Sequence, residues 1–304
     1  MKKSVKLLVN IVILLVIIGF VWYLIQSQSN NRQFAANIPV EEPFDARFTQ
    51  TSSFNVSEEI IRFGLYDNET LFIASDGSIY VYNVSGNQIA KFPLNSGILD
   101  VAVYEDEFFV LYQNHIEAYN IENQQLVREW TAHLPNTEHC SFTIAAGYVF
   151  VTDAGNKNFV KYAIDGEFIQ TVISPNQFVI PSFSFDIAAY NDTLYVINSG
   201  RHLIERYTIY GQYVDAWGES GSDPGYFIGC CNPNFISFTS NGNIITAEKG
   251  IPRVSLFTRD GQFEEILLNS SLLGGGNRPY QTIAVGNKLI VAGRNRIMIF
   301  TENI

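Results

Sequence analysis

The sequence of 304 residues is 47% hydrophobic, 14% aromatic and only 16% charged, so it can bury a large core and is not that of a disordered protein. Its net charge of −11 at pH 7, with no basic stripe to offset it, excludes a nucleic-acid-binding role and repels anionic lipid.

The first predicted element is a transmembrane signal-anchor at residues 7–25. This run is interrupted only by Asn10 and Gly19 and has close to the ~20 residues that a helix needs to cross a hydrocarbon core. A cleaved signal peptide is the alternative, but its apolar region is usually shorter. The sequence at residues 34–36, Phe-Ala-Ala, also matches a cleavage site poorly. We therefore expect an uncleaved anchor.

The charges that flank this segment set its orientation. Lys2, Lys3 and Lys6 precede it, and nothing comparably basic follows it. The positive-inside rule then leaves residues 1–6 as a cytoplasmic stub. Residues 26–43 are polar and read as a tether. The sequence therefore predicts a single-pass protein of the cell membrane, with residues 44–304 on the extracytoplasmic (periplasmic or outer) side.

Short apolar strands separated by Asn, Asp and Gly turns fill the rest of the chain, and they recur in register. Six segments of similar pattern have an aliphatic residue at the same position: Ile73, Val110, Val151, Val196, Ile245 and Val291. These positions are 37, 41, 45, 49 and 46 residues apart. Each segment contains two strands and is preceded by a third.

All but the last segment are followed by a fourth strand, which is the composition of a β-propeller blade. A four-stranded sheet cannot bury both faces alone, so neighbouring units must stack around an axis. The last unit lacks its fourth strand, and residues 47–56 have no blade of their own. We predict an all-β, six-bladed propeller in which residues 47–56 pair with the last unit and close the ring.

The units around Val151, Val196 and Ile245 resemble NHL repeats, as in VINSGRHLIERYTIYG. Residues 225–261, with the motifs GCCNP and TAEKG-x-PRV, are similar to a group of bacterial NHL-type propeller proteins. The resemblance covers the whole propeller and is weakest in the first two units. It implies the fold more firmly than an activity, because NHL propellers serve as sensors and protein-binding platforms, and related propellers as lyases or lactonases.

All three cysteines are predicted to lie on one rim of the propeller, two blades apart. The loop before one innermost strand carries His139 and Cys140, and the corresponding loop two blades on carries Cys230 and Cys231. Three interpretations remain open. The cysteines form a structural disulfide, because thiols outside the cytoplasm tend to oxidise; they bind a metal ion together with His139 or His202; or one of them is a reactive thiol.

The loops between second and third strands are predicted to bring further polar residues to the same rim. The ligand-binding candidates there are Arg201, His202, Glu248, Lys249 and Arg253. Glu248, Lys249 and Arg253 form either an ion pair that locks the blade or, with Arg201, a site for an anionic ligand.

We weigh three functions on this basis. The first is a non-enzymatic binding module for an extracytoplasmic protein or a small molecule, favoured by the anchor, the tether and the lack of a recognisable nucleophile–base pair. The second is an enzyme or redox protein that uses a Cys- and His-lined channel mouth for lyase, lactonase-like or thiol chemistry. The third is a structural component of the cell envelope.

Overall fold

The structure is a computed structural model that describes residues 16–22, residue 44 and residues 46–303. The chain divides into two units between Asp45 and Ala46. Residues 16–22 are helical and exposed, while the remainder of the predicted anchor and the predicted tether lie outside the described residues. None of the described helices combines the length and the apolar character needed to cross a membrane. The anchor therefore stays a prediction.

The second unit is a ring of six antiparallel four-stranded sheets, here called blades 1 to 6. Blade 1 contains β2 (Arg62–Tyr66), β3 (Thr70–Ser75), β4 (Ser78–Asn83) and β5 (Gln88–Pro93). Blade 2 contains β6 (Asp100–Tyr104), β7 (Glu107–Leu111), β8 (His115–Asn120) and β9 (Leu126–Thr131). Blade 3 contains β10 (His139–Ala145), β11 (Tyr148–Asp153), β12 (Asn158–Ala163) and β13 (Phe168–Val172).

The remaining blades follow the same order. Blade 4 contains β14 (Ile187–Tyr190), β15 (Thr193–Asn198), β16 (Leu203–Thr208) and β17 (Tyr213–Trp217). Blade 5 contains β18 (Phe235–Phe238), β19 (Ile244–Glu248), β20 (Arg253–Phe257) and β21 (Phe263–Leu268). Blade 6 contains β22 (Thr282–Val285), β23 (Lys288–Ala292), β24 (Arg296–Glu302) and, from the start of the propeller, β1 (Phe48–Asn55). The short helices of residues 46–303 are Pro181–Phe183, Ser199–Arg201 and Ser270–Leu273.

The ring is closed by the first strand of the propeller. β1 pairs antiparallel with β24, from Phe48 opposite Glu302 to Asn55 opposite Arg296, and supplies the fourth strand that blade 6 lacks. The predicted six-bladed fold and the predicted closure by residues 47–56 are both confirmed. Closure also removes a sheet edge that would otherwise offer unpaired backbone groups to other chains.

The core lies between the blades. Six clusters of buried apolar side chains are each shared by two neighbouring blades; for example, Ile73 of blade 1 packs in one cluster with Ile290 of blade 6. The six aliphatic positions of the repeat are all at most 1% exposed. Each blade therefore buries its two faces only by packing against two neighbours, which holds the innermost strands around the channel.

Candidate functional site

The six innermost strands line a central channel of about 590 Å³. In each blade, the aliphatic position of the repeat pairs with a residue of the innermost strand, and the residue directly before that partner lines the channel. These six residues are Arg62, Asp100, Ser141, Asp186, Ile236 and Gln281. The blade symmetry thus collects two carboxylates, one guanidinium and one hydroxyl at one end of the channel. We call Arg62, Asp100, Ser141 and Asp186 the channel-mouth cluster.

The guanidinium of Arg62 lies at the centre of this cluster. Its Nη2 is 3.0 Å from Asp186 Oδ1, and its Nε is 3.9 Å from Asp100 Oδ2. Its other contact is with the ring of Phe235, whose centroid is 4.3 Å from the Arg62 Cζ. The Arg62 side chain is only 11% exposed, so charges that are largely out of water tie blades 1, 2 and 4 together, and the ring contact adds blade 5. Breaking such a pair from one side is costly.

Ser141 completes the cluster by bridging the two carboxylates. Its Oγ is 2.6 Å from Asp186 Oδ1 and 2.9 Å from Asp100 Oδ2. A hydroxyl has one proton to donate, so both contacts are satisfied when one carboxyl group is itself protonated. Burial raises the pKa of Asp100 to about 6; the charge of Arg62 opposes this shift and that of Asp186 adds to it. The cluster is therefore paired within itself.

The described residues that line the channel include neither a cysteine nor a histidine, so the predicted Cys- and His-lined mouth stays a prediction about the rim around it. Of the predicted residues, His139 and Cys140 are the first two residues of the innermost strand β10, whereas His202, Cys230 and Cys231 lie outside the strands. The channel itself is lined by other residues of the innermost strands and their ends.

The loop before β18 is held by the predicted Glu248–Arg253 pair. Arg253 Nε lies 2.7 Å from Glu248 Oε1 and Nη2 lies 3.0 Å from Oε2, a two-point contact with side chains 8% and 1% exposed. The same Nη2 donates to Tyr226 O at 2.7 Å, and the Ile228 amide donates to Glu248 Oε2 at 3.3 Å. The pair therefore fixes the loop as well as the blade. We call residues 226–232 the rim loop.

Two polar side chains fix the rest of the rim loop. Asn232 donates through Nδ2 to Ile228 O at 2.8 Å and to Lys249 O at 2.9 Å, and its Oδ1 accepts from the Lys249 amide at 3.0 Å. His202 contacts Gly229 O through Nε2. The loop is thus tied to both of the blades on either side of it, and little backbone freedom is left around the two cysteines.

Cys230 and Cys231 are adjacent free thiols in this structure, with sulfur atoms 3.4 Å apart. A disulfide has an S–S distance of about 2.05 Å. Cys230 is exposed and Cys231 is buried. The neighbouring thiol of Cys231 raises the pKa of Cys230, and the charge of Lys249 acts in the opposite direction. The arrangement exposes one thiol and shields the other.

Cys140 and His139 lie elsewhere on the rim. Cys140 packs against the core between blades 3 and 4, and burial raises the pKa of its thiol to about 12. His139 is buried, with Nδ1 2.9 Å from Tyr112 O, and burial lowers its pKa. Within the described part of the chain, no three of the predicted metal ligands have ligand atoms within 4.8 Å of one another. The structure therefore does not assemble the predicted site of Cys140, Cys230 and Cys231.

Arg201 is exposed, and the structure gives it no ion-pair partner among the described residues. It directly precedes His202 and so lies beside the rim loop. Arg201, His202, Cys230 and Lys249 together form what we call the rim surface. The seven predicted residues of this region thus either build the rim loop or border it, while their role as a binding site stays a prediction: Arg201, His202, Cys230, Cys231, Glu248, Lys249 and Arg253.

The channel-mouth cluster was missed by sequence reasoning, although a signal for it exists. Arg62 and Asp100 are the first residues of β2 and β6, Asp186 directly precedes β14, and each interrupts an apolar run, as in SFDIAAY. A buried charge needs a partner, so three such residues at one repeat position indicate a charge cluster on the axis.

Comparisons with known proteins support the fold and leave the family open. No protein-family model matches the chain, and no curated protein matches it. A selenomethionine-substituted virginiamycin B lyase from Staphylococcus aureus matches in structure with a TM-score of 0.62 and 15% identity, covering 84% of this chain and 100% of the lyase. A catalytically inactive variant of that lyase with quinupristin has a TM-score of 0.61 and 14% identity, covering 84% of this chain and 100% of the variant. A structure of streptogramin B lyase has a TM-score of 0.59 and 13% identity, covering 84% of this chain and 98% of the lyase. At these identities the likeness shows the six-bladed fold, and the resemblance to NHL repeats stays a prediction.

Proposed function

We propose that this protein is a membrane-anchored, extracytoplasmic binding module whose rim surface contacts a partner protein or small molecule with an acidic group. The observation that supports it most is the contrast within the rim: the buried pair of Glu248 and Arg253 and the amide of Asn232 fix the backbone, while Arg201 and Cys230 face solvent. A rigid loop loses little conformational entropy on binding. A cationic surface on an acidic chain favours an acidic group in the partner.

The test is site-specific photo-crosslinking in cells that produce the full-length chain. A photo-reactive residue replaces Arg201 on the rim surface. In a matched control it replaces Lys288, an exposed residue at the start of β23, next to the turn that follows β22. We expect a discrete crosslinked product from position 201 that disappears with Lys249→Glu. Equal products from both positions, or none from position 201, would contradict the proposal.

The membrane anchor is tested separately, because a binding module could be soluble. Full-length chain is expected in the membrane fraction, with the propeller degraded by protease added outside cells whose cytoplasmic membrane is intact and whose outer membrane, where the cell has one, is permeabilised. Deletion of residues 7–25 is expected to move the chain out of that fraction. Full-length chain recovered in the cytoplasmic fraction would contradict the anchor and leave the rim proposal standing.

A second candidate function, thiol redox chemistry at the rim, rests on the 3.4 Å separation of Cys230 and Cys231. Exchange with a disulfide of a second molecule would join the two sulfur atoms and leave the two sulfurs of that molecule as thiols, so the electrons and protons of the pair pass to it. This is tested by intact mass and alkylation of the chain isolated without reductant. The lyase and lactonase alternatives have less support, because the candidate bases His115, His133, His139 and His202 do not line the channel.

A further inference from the structure

Blades 2 and 4 share a hairpin with a buried glutamate followed two residues later by a tyrosine. In blade 2 these are Glu117 and Tyr119 on β8, and in blade 4 they are Glu205 and Tyr207 on β16. The tyrosine hydroxyl donates to the glutamate in both, at 2.7 Å and 2.5 Å. The two glutamates are 5% and 0% exposed. A buried carboxylate of this kind needs further partners, and the two blades differ in what they supply.

In blade 4 the carboxylate is satisfied by neutral donors. Ser174 Oγ lies 2.7 Å and 2.9 Å from the two oxygens of Glu205, and Asn198 Nδ2 donates at 2.7 Å. The positions that flank Glu205 are apolar: Leu203 lies two residues before it and Ala216 lies opposite it on β17. This site is closed and structural.

In blade 2 the same flanking positions carry metal-ligating side chains. His115 lies two residues before Glu117, and Glu129 lies opposite it on β9. One ligand atom from each of the three residues lies within 4.8 Å of the others. His115 Nε2 and Glu117 Oε1 are 3.6 Å apart, too far for a hydrogen bond. That separation is close to the roughly 3.4 Å between two ligand atoms on a tetrahedral ion with bonds of about 2.1 Å.

The neighbours of His115 orient it as a ligand. Its Nδ1 lies 3.1 Å from Asn114 Oδ1, which can only accept, so Nδ1 carries the proton. In the neutral ring, Nε2 then presents a lone pair to the Glu117 carboxylate, and two acceptors that face each other call for a cation between them. The ring of Tyr112 stacks on His115 with centroids 4.3 Å apart and an interplanar angle of 4°. A second-sphere hydrogen bond and a fixed ring plane are typical of metal-binding histidines.

A second, independent observation comes from Tyr112. The side chain is 3% exposed, and its hydroxyl has no hydrogen-bond partner. Burial raises the pKa of Tyr112, and the neighbouring Glu117 raises it further. A buried polar group without a partner costs stability. A ligand, such as a water molecule on a bound ion, would supply the missing contact.

We propose that His115, Glu117 and Glu129 bind a divalent transition-metal ion such as Zn²⁺ between the third and fourth strands of blade 2. Tyr119 and Asn114 hold two of the ligands in orientation, and the partly exposed side chains of His115 and Glu129 leave the fourth position open to solvent. Tyr119 also lines a cavity of about 450 Å³ beside blade 1. The site is separate from the rim loop and from the channel.

The test uses the full-length chain in detergent, with Cys230→Ser and Cys231→Ser so that these thiols do not bind metal. After treatment with EDTA, Zn²⁺ is titrated in by calorimetry. We expect one ion per chain. We expect His115→Ala and Glu117→Gln to weaken binding by more than about 100-fold and Asn114→Ala to weaken it by roughly 10-fold, as for second-sphere partners.

Glu205→Gln is the matched control, because it changes the equivalent glutamate of blade 4, and it is expected to leave Zn²⁺ affinity unchanged. Circular dichroism checks that each variant is folded; if Glu117→Gln is not, His115→Ala decides, since its side chain is 24% exposed. Absence of Zn²⁺ binding by the parent chain, or retention of full affinity by His115→Ala, would overturn the proposal. The His115–Glu117 contact would then be an imidazolium–carboxylate ion pair.

Discussion

The channel mouth and the rim loop both contain a buried arginine–carboxylate pair, but the first pair joins blades and the second holds a loop. At the channel mouth, Arg62 with Asp100 and Asp186 joins the innermost strands of three blades, and the polar groups are used up within the cluster. At the rim, Arg253 with Glu248 holds a loop whose outer side faces solvent. The comparison is consistent with our proposal that the rim contacts a partner, because the buried charges at the axis join blades whereas those at the rim hold an exposed loop.

The largest expected effect follows from Arg62→Ala at the channel mouth. It leaves two buried carboxylates without their counter-ion, which typically costs about 3–5 kcal/mol. We expect the urea midpoint of unfolding to fall accordingly. The alkylation rate of Cys231 in the native state should not change, because the rim loop keeps its contacts. An Arg62→Ala chain that unfolds like the parent would show that the cluster does not join the blades.

Arg253→Ala should also destabilise the protein, by up to about 3–5 kcal/mol, because Glu248 loses its partner while buried. Here the effect is local as well: Tyr226 O loses its donor, so we expect Cys231 to become accessible to alkylation before global unfolding. Mass spectrometry after brief alkylation measures this. Arg201→Ala is the matched control, since it removes an exposed arginine of the same rim and should change stability by less than about 0.5 kcal/mol.

Asp100 makes the channel mouth sensitive to pH. Its folded-state pKa is about 6 against an ordinary value of 3.8, so the folded state holds this proton more tightly than the unfolded state. The stability that Asp100 contributes is therefore complete below pH 3.8 and is lost as pH rises through 6. Relative to Asp100→Asn, the unfolding free energy of the parent should fall by about 3 kcal/mol across that window. If the difference in unfolding free energy between the parent and Asp100→Asn did not change with pH, the proton would lie on another group of the cluster.

The smallest expected effect concerns the exposed side of the rim. The charge of Lys249 lowers the pKa of Cys230, so Lys249→Ala should raise that pKa and reduce the thiolate fraction at neutral pH. Alkylation of Cys230 should slow modestly at low salt, and the difference should shrink at high salt because the interaction is screened. Lys288→Ala, which removes an exposed lysine at the start of β23 in blade 6, should leave the alkylation rate of Cys230 unchanged.

The fold was predictable because its signals repeat. The aliphatic positions from Ile73 to Val291 recur in register, and a blade that lacks one strand leaves residues 47–56 as its only unassigned partner. Such patterns depend on backbone pairing and on burial, which the sequence encodes locally in each unit. The closure of the ring by β1 was predicted from the number of strands in each unit and not from a single motif.

The sites were less predictable because they depend on side chains from different blades. Sequence reasoning placed Glu248, Arg253 and His202 near Cys230, since neighbouring blades present equivalent loops on one face. It could not tell that Cys140, the second residue of β10, packs against the core between blades 3 and 4, because the face on which a strand residue lies depends on the pairing register. Nor did it single out Arg62, whose partners Asp100 and Asp186 lie in other blades and become neighbours only around the axis.

Hydrogen exchange of backbone amides in the native full-length chain tests the central claim that the rim loop is built in advance around Glu248 and Arg253. The amides to follow are Ile228 and Lys249 at the rim and Ile236, bonded to Asp186 at 2.9 Å, at the channel mouth. We predict protection at all three, with loss in Arg253→Ala confined to the rim. Exchange of Ile228 and Lys249 in the parent chain as fast as in an unstructured peptide would contradict a rigid rim surface.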